Sequence, residues 1–177
     1  MQGAEKRAEF EAAVLPHLDA AYNLARWLLR SEHDADDVVQ EAYLRAFRFF
    51  GGFRGGDSRG WLLTIVRNVS YTWLRKRRPD ELVLSLDEET HGREDGAPDP
   101  EAEVLRQAEG QSVKQALEAL PLELREIMVL RELEGLSYAE IASVAEIPLG
   151  TVMSRLSRAR SRLRDLVGSC LGKEAPR

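Results

Sequence analysis

The sequence predicts an all-α protein in which two small helical domains are joined by a flexible acidic linker. Apolar residues recur at helical spacing throughout the 177 residues, and the alternation typical of strands is nearly absent. Residues 80–103 carry ten acids against one cation and are interrupted by glycines and prolines, as is typical of a linker. We therefore expect one domain at 1–79, a second at 104–171 and a short tail at 172–177.

The composition argues against several classes of protein. One cysteine and three histidines without ligand spacing give no basis for a disulfide framework or a metal centre. We expect neither an enzyme nor a bound cofactor, since no nucleophile stands beside a base and no phosphate-binding glycine loop is followed by lysine. The apolar runs are far shorter than the roughly 18 residues of a membrane span, and the chain begins with an acidic segment. These features predict a cytoplasmic protein without membrane insertion.

The first helical segment carries Phe10, Val14, Leu18 and Tyr22 at intervals of four residues. Pro16 lies inside this pattern and lacks a backbone N–H. It therefore predicts a kink or an interruption of the helix.

The second predicted helix starts at 31–34, where serine and aspartate are good N-caps, and is stopped by Gly51 and Gly52. Its expected inward residues are Val38, Val39, Ala42, Ala46 and either Phe49 or Phe50. Its outward stripe mixes charge with an exposed leucine, which favours a protein-docking surface, although an ordinary solvated face fits the same pattern. That stripe consists of Asp37, Gln40, Glu41, Leu44, Arg45 and Arg48.

The third predicted helix, capped by Asp57 or Ser58, belongs to a stretch at 58–79 with six cations, three large aromatic residues and no acid. The expected inward residues are Trp61, Leu62, Ile65 and Val69. Those expected to reach outward are Arg67, Asn68, Tyr71, Arg75, Lys76, Arg77 and Arg78. Cations follow a phosphate backbone, aromatic rings stack on unpaired bases and an amide pairs with base edges, so the helix suits DNA that is being opened. For Trp61 and Trp73, packing in the core is the competing explanation.

The second domain begins with a predicted helix over 104–120, which Pro121 closes before another helix that ends at Gly135. Ser137 followed by Glu140 is a capping-box pattern, which predicts that the next helix starts at Ser137.

A tight turn at 145–148 and a longer helix opened by Gly150 and Thr151 complete a helix-turn-helix pattern. The second helix of the pair should bury Val152, Leu156, Ala159 and Leu163. Its other face suits DNA, with Ser154 and Arg155 placed for base edges, and with Thr151, Arg158 and Arg162 placed for phosphates. A solvated basic face without a ligand is the alternative, but arginines at this density would repel one another without an anionic partner.

Three motifs in this order resemble the extracytoplasmic-function sigma factors, the two-domain class of bacterial transcription initiation factors. The segment DADDVVQEAYLRAF is similar to their core-polymerase-binding helix. The segment FRGGDSRGWLLTIVRN, with its following basic cluster, is similar to their promoter-melting and minus-10 segment. The segment LPLELREIMVLRELEGLSYAEIASVAEIPLGTVMSRLSRARSRL is similar to their minus-35-reading domain. The resemblance covers nearly the whole chain and implies that it directs promoter recognition and melting.

The resemblance also implies contact residues and partners. Docking on the β′ clamp helices of core RNA polymerase would use Asp36, Asp37, Gln40, Glu41 and Leu44. The minus-10 element of promoter DNA would contact Phe53, Arg54, Ser58, Arg67, Asn68, Tyr71, Arg75, Lys76, Arg77 and Arg78. The minus-35 element would contact Thr151, Ser154, Arg155, Arg158 and Arg162, while Met153 stands where some relatives have a cation. Further implied partners are the β flap of the polymerase and an anti-sigma factor that covers the polymerase-binding surfaces.

Two other functions fit part of the pattern. A helix-turn-helix regulator acting as a dimer without polymerase would leave the first domain unexplained. An adaptor that imitates a sigma factor to sequester an anti-sigma partner would not need DNA-reading arginines on both domains. The acidic balance of the chain, net charge -5, further predicts weak binding of free DNA until the protein docks on polymerase.

Overall fold

The computed structural model describes residues 2–82 and 110–173, and each regular element in these two ranges is helical, which confirms the predicted all-α class. The first domain contains α1 Gln2–Val14, α2 Leu18–Leu29, α3 Glu32–Phe49 and α4 Ser58–Arg77. The second contains α5 Gly110–Ala119, α6 Leu122–Met128, α7 Tyr138–Ala145 and α8 Leu149–Lys173. Most of the predicted linker, the predicted helix start at 104 and the end of the tail lie outside the described residues. No helix in the described ranges has the length and apolar character needed to cross a bilayer.

Local sequence signals set the helix ends of the first domain where they were predicted. The proline-containing 3-10 turn Leu15–His17 separates α1 from α2. Ser31 Oγ accepts a hydrogen bond of 3.2 Å from the N–H of Asp34 and caps α3. The Asp57 carboxylate accepts one of 2.9 Å from the N–H of Gly60 and caps α4. Each cap satisfies a backbone donor that has no partner inside its own helix, so the helix start is fixed locally.

An aromatic cluster around Phe10 anchors α1 to α3. Phe10 is fully buried, and its ring centroid lies 5.0 Å from that of Tyr43, 5.1 Å from that of Phe47 and 5.4 Å from that of Phe50, each edge to face. Phe50 is half-buried in this cluster, whereas Phe49 is 61% exposed. The sequence predicted that either Phe49 or Phe50 points inward, and in the structure the inward residue is Phe50.

Helices α2, α3 and α4 pack against one another and form the core of the first domain. The inward residues of α3 and α4 that are buried as predicted are Val38, Ala42, Ala46, Leu62 and Val69. Those that are half-buried are Val39, Trp61 and Ile65. Trp73 is also half-buried, so neither tryptophan of α4 is wholly a core residue.

The second domain follows the predicted helix-turn-helix with one addition. Helix α6 continues into a π-helical turn, Val129–Leu133, which the apolar periodicity did not predict. The segment ends at Gly135, whose φ of 68° lies in the left-handed region that favours glycine. Ser137 Oγ accepts a 3.1 Å hydrogen bond from the N–H of Glu140 and caps α7, as expected. The residues of α8 that are buried as predicted are Val152, Leu156, Ala159 and Leu163.

The two domains pack against each other, which the sequence did not predict. Their buried residues form one continuous hydrophobic cluster, in which α4 lies against α7 and α2 against α6. The buried side chain of Arg125 joins them, since its guanidinium donates to the carbonyl of Leu120 over 2.8 Å and to that of Leu28 over 3.2 Å. Burial, assisted by the charge of Arg30, lowers the pKa of Arg125 to about 10, so the group stays charged at neutral pH.

Candidate nucleic-acid interface

The basic cluster at the end of α4 is only partly directed to solvent. Residues 75–77 are exposed, as predicted. Arg78 is half-buried and donates to the carbonyl of Leu29 and, over 3.1 Å, to the carboxylate of Glu81. Its guanidinium also lies 5.0 Å from the ring centroid of Trp73. The expectation that all four cations reach outward is therefore wrong for Arg78, because the end of α2 and the turn after α4 bind its donors.

The middle of α4 is covered by the second domain, and the expectation that Arg67 and Tyr71 reach outward is wrong. Tyr71 is 9% exposed, and its hydroxyl donates to Glu126 Oε2 over 2.8 Å. Arg67 Nε donates to Glu126 Oε1, and the guanidinium lies 4.3 Å from the ring centroid of Tyr71. Asn68 is exposed, as expected. Helical periodicity places these residues on one helix but contains no information about a second domain that covers them.

The pKa values of Arg67 and Tyr71 are both raised in this contact. Burial alone would lower the pKa of Arg67, but the charge of Glu126 and the neighbouring Tyr71 raise it above its ordinary value. Burial and then the charge of Glu126 raise the pKa of Tyr71 well above its ordinary value. Both side chains are therefore protonated donors at neutral pH. The Glu126 side chain has no exposed surface, and each of its two oxygens accepts from one of these donors.

The loop before α4 and the start of that helix form one wall of an open groove. The ring of Phe53 lies 4.9 Å from that of Trp61, and both rings line the groove together with the exposed Arg54. Its volume is about 400 Å³, and residues of α7 form the opposite wall. Ser58 Oγ lies 3.2 Å from His17 Nε2. A histidine without metal-ligand spacing therefore contacts a serine that the sequence predicts to bind DNA.

The first turns of α8 place the predicted minus-35 residues on one side of the helix, next to its buried residues, and this side is only partly exposed. Those exposed are Ser154 and Arg162, and those half-buried are Thr151, Arg155 and Arg158. Met153, at 50% exposure, lies among them. Arg160, in contrast, donates to Glu132 over 3.1 Å and ties α8 to the end of the π-helical turn. Arg160 thus has a structural contact within the second domain, which the arginine-rich sequence alone does not reveal.

The outward stripe of α3 is exposed as predicted except at Arg45, which is half-buried and donates to Glu41 over 2.8 Å. Its members proposed for polymerase docking are Asp36, Asp37, Gln40, Glu41 and Leu44, all exposed. Leu44 is 61% exposed, so the acids of the stripe surround a large apolar side chain that reaches solvent. An exposed apolar side chain within a charged surface is typical of a protein-binding surface.

Comparisons with known proteins define the class. Residues 13–79 match the family model "Sigma-70 region 2", and residues 110–163 match "Sigma-70, region 4", so the fold is that of a two-domain sigma factor. The RNA polymerase sigma-H factor of Pseudomonas aeruginosa is 36% identical over 170 residues, which cover 92% of this chain and 88% of that protein. The ECF RNA polymerase sigma-E factor of Escherichia coli is 38% identical over 141 residues, 76% of this chain and 74% of that protein.

A longer relative and a solved structure agree with this class. The ECF RNA polymerase sigma factor SigE of Mycolicibacterium smegmatis is 37% identical over 157 residues, 88% of this chain but 60% of that protein's length. The sigma factor RpoE of Bartonella quintana, solved with the anti-sigma factor NepR, superposes with a TM-score of 0.69 at 31% identity and covers 90% of this chain and 97% of its own. The chain belongs to the extracytoplasmic-function sigma factors of the sigma-70 family, which initiate transcription.

Proposed function

We propose that this chain directs core RNA polymerase to a specific set of promoters and opens the DNA there, under the control of an anti-sigma factor. It catalyses no reaction itself and acts in the cytoplasm, where the polymerase is. The observation that carries the proposal is the separation of surfaces: an acidic and apolar stripe on α3, and basic faces on α4 and α8. The functional units are 1–79 for core binding and the minus-10 element, the linker 80–103, 104–171 for the minus-35 element and the tail 172–177.

The α3 stripe is the docking surface for the β′ clamp helices. Exposed acids around the protruding Leu44 combine an apolar anchor with a charged rim, the arrangement common at protein interfaces. A DNA-binding face would instead be cationic, since phosphate contacts require positive charge. We assign this docking role to Asp36, Asp37, Gln40, Glu41 and Leu44, and contact with the β flap to the second domain.

The minus-10 surface combines the loop before α4 with the length of that helix. Its aromatic residues and cations are the side-chain types that bind unpaired bases and their phosphates, although the second domain covers Arg67 and Tyr71 in this structure. We assign this surface to Phe53, Arg54, Ser58, Arg67, Asn68, Tyr71, Arg75, Lys76, Arg77 and Arg78. The minus-35 surface is the start of α8, with Thr151, Ser154, Arg155, Arg158 and Arg162, because a helix N-terminus and arginines suit a major groove.

Control by an anti-sigma factor is supported by two solved relatives, each in complex with another protein, which in one case is named as an anti-sigma factor. RpoE of Bartonella quintana is in complex with the anti-sigma factor NepR. CnrH, in complex with the cytosolic domain of CnrY, superposes with a TM-score of 0.63 at 26% identity and covers 96% of this chain and 91% of its own. The exposed Leu44 and the acids around it give a regulatory partner a surface that the polymerase also needs.

The test is transcription by sigma-free core polymerase on sheared DNA from the source genome, with and without the protein, followed by mapping of RNA 5′ ends. New start sites preceded by two shared, regularly spaced elements are the expected result. An absence of new starts together with an absence of core binding would contradict the proposal and favour a regulator that acts without polymerase.

Replacing both Asp37 and Gln40 with alanine should weaken core-polymerase binding at least about tenfold, as loss of interface hot-spot residues does. Both residues are exposed on α3, so the fold should persist. Binding is measured by fluorescence anisotropy with labelled protein, and folding by circular dichroism. The matched control replaces the exposed Glu5 and Glu9 of α1, which lie outside the stripe. Equal weakening in the control would show that general charge, and not the α3 stripe, determines binding.

A further inference from the structure

We propose that three glutamates of the second domain act as a carboxylate latch that holds the free chain in a closed form and competes with promoter DNA for α4. The latch consists of Glu126, Glu134 and Glu140. The inference rests on the proposed function, because it takes Arg67 and Tyr71 to be DNA contacts. It adds an intramolecular partner for the same residues.

Glu126 is the centre of the latch. Its carboxylate receives Arg67 Nε on one oxygen and the Tyr71 hydroxyl, at 2.8 Å, on the other. The Glu126 side chain has no exposed surface, and the Arg67 side chain retains 14% exposure. A buried carboxylate is stable only while such donors satisfy it, so Glu126 makes the closed arrangement specific.

Two further glutamates extend the latch toward the edge of the domain contact. The Asn23 amide donates to Glu134 Oε1 over 2.6 Å. The Arg59 guanidinium donates to Glu140 Oε2 over 3.1 Å and to the carbonyl of Glu134 over 3.2 Å. All three carboxylates therefore bind donors of the first domain on α2 or α4, across the boundary between the domains.

A carboxylate and a phosphate bind an arginine side chain in the same way. Both present oxygen pairs that accept charge-assisted hydrogen bonds from a guanidinium. Because the second domain lies over Arg67 and Tyr71, a DNA strand cannot contact them while Glu126 holds them. Opening exchanges these carboxylates for phosphate or water, and any ligand that binds only the open form shifts the population toward it.

The closed form is measured directly, without DNA, in the full chain. Spin labels at Glu5→Cys on α1 and Asp165→Cys on α8, in a Cys170→Ser background, report the separation of the domains by double electron–electron resonance. Both labelled positions are exposed and lie outside the latch. Glu126→Gln keeps the side-chain shape but removes the charge, and should raise the ratio of open to closed molecules about tenfold, the effect expected for a lost hydrogen bond to a charged group.

Glu140→Gln repeats the test at a side chain with 38% exposure, where a folding defect is not expected, and should shift the same ratio in the same direction. Glu132→Gln is the matched control, because Glu132 pairs with Arg160 inside the second domain. The control should leave the label distances unchanged. Unchanged distances in both latch variants would overturn the latch, as would an equal shift in the control.

Binding of a short fluorescent single-stranded oligonucleotide of random sequence then separates the latch from the proposed function. If the latch and the proposed function both hold, Glu126→Gln binds the oligonucleotide about tenfold more tightly than the chain with Glu126 does. Since the effect of opening on binding and the effect of binding on opening are reciprocal, the oligonucleotide should also lengthen the label distances in the chain with Glu126. Longer distances in Glu126→Gln with no gain in binding would keep the latch but overturn the assignment of Arg67 and Tyr71 to DNA.

Discussion

Replacing Arg155 and Arg158 with alanine together is expected to remove most promoter-specific transcription while leaving core-polymerase binding intact. Each lost contact to a base or phosphate should cost about 1–3 kcal/mol, which corresponds to roughly a tenfold to hundredfold loss per contact. Both residues are half-buried on α8 but do not belong to its apolar core, so the fold of the double variant is checked directly. The measurement is the yield of transcripts from a mapped start site, with core binding determined in parallel.

The single variants Arg155→Ala and Arg158→Ala are each compared with Arg164→Ala, which removes one positive charge from the same helix. Arg164 is exposed and lies beyond the predicted contacts. Arg164→Ala should reduce transcription less than Arg155→Ala does. If the two losses are equal and vanish together at raised salt, general attraction to DNA explains them, and the minus-35 assignment is wrong. Loss of core binding in the double variant would point to misfolding, which circular dichroism detects.

Replacing Phe10 with alanine is expected to lower the free energy of unfolding by about 3–5 kcal/mol, the range for a buried phenylalanine. The ring is fully buried and makes edge-to-face contacts with Tyr43, Phe47 and Phe50, all on α3 or directly after it. Its loss leaves a cavity that the surrounding rigid rings fill only partly. Urea denaturation followed by circular dichroism measures the change in free energy.

Phe49→Ala is the matched control for Phe10→Ala, since Phe49 is 61% exposed on the same domain. A surface substitution of this kind should change the free energy of unfolding by no more than about 0.5 kcal/mol. A similar loss in both variants would mean that the aromatic cluster around Phe10 does not determine the stability of the domain.

The sequence predicted most of the local structure because the signals involved act over a few residues. The caps at Ser31 and Ser137 and the stop at Gly135 each depend on hydrogen bonds or backbone angles within one turn. The buried side of α8 followed from spacing alone. The π-helical turn Val129–Leu133 escaped prediction, because the four successive apolar residues at 127–130 hide the shift in periodicity that an extra residue produces.

The candidate site was predicted in its composition but not in its accessibility. The exposed residues of α3 and the face of α8 lie where periodicity placed them. Arg67 and Tyr71 do not, because Glu126, 59 and 55 residues away along the chain, binds both of them. Arg78 and Arg160 likewise have protein partners that a count of basic residues cannot reveal.

The amino-acid sequence by itself determined the helical class, the helix ends and the family, since these depend on local propensity and on motifs in a fixed order. Only the tertiary structure decided which cations are available to DNA and which are held by carboxylates of the other domain. The physical reason is that the same amino acid stands in the sequence whether its charged side chain binds water, a phosphate or a glutamate. Its partner is set by domain packing, where Arg125 and Glu126 are buried together with the apolar core.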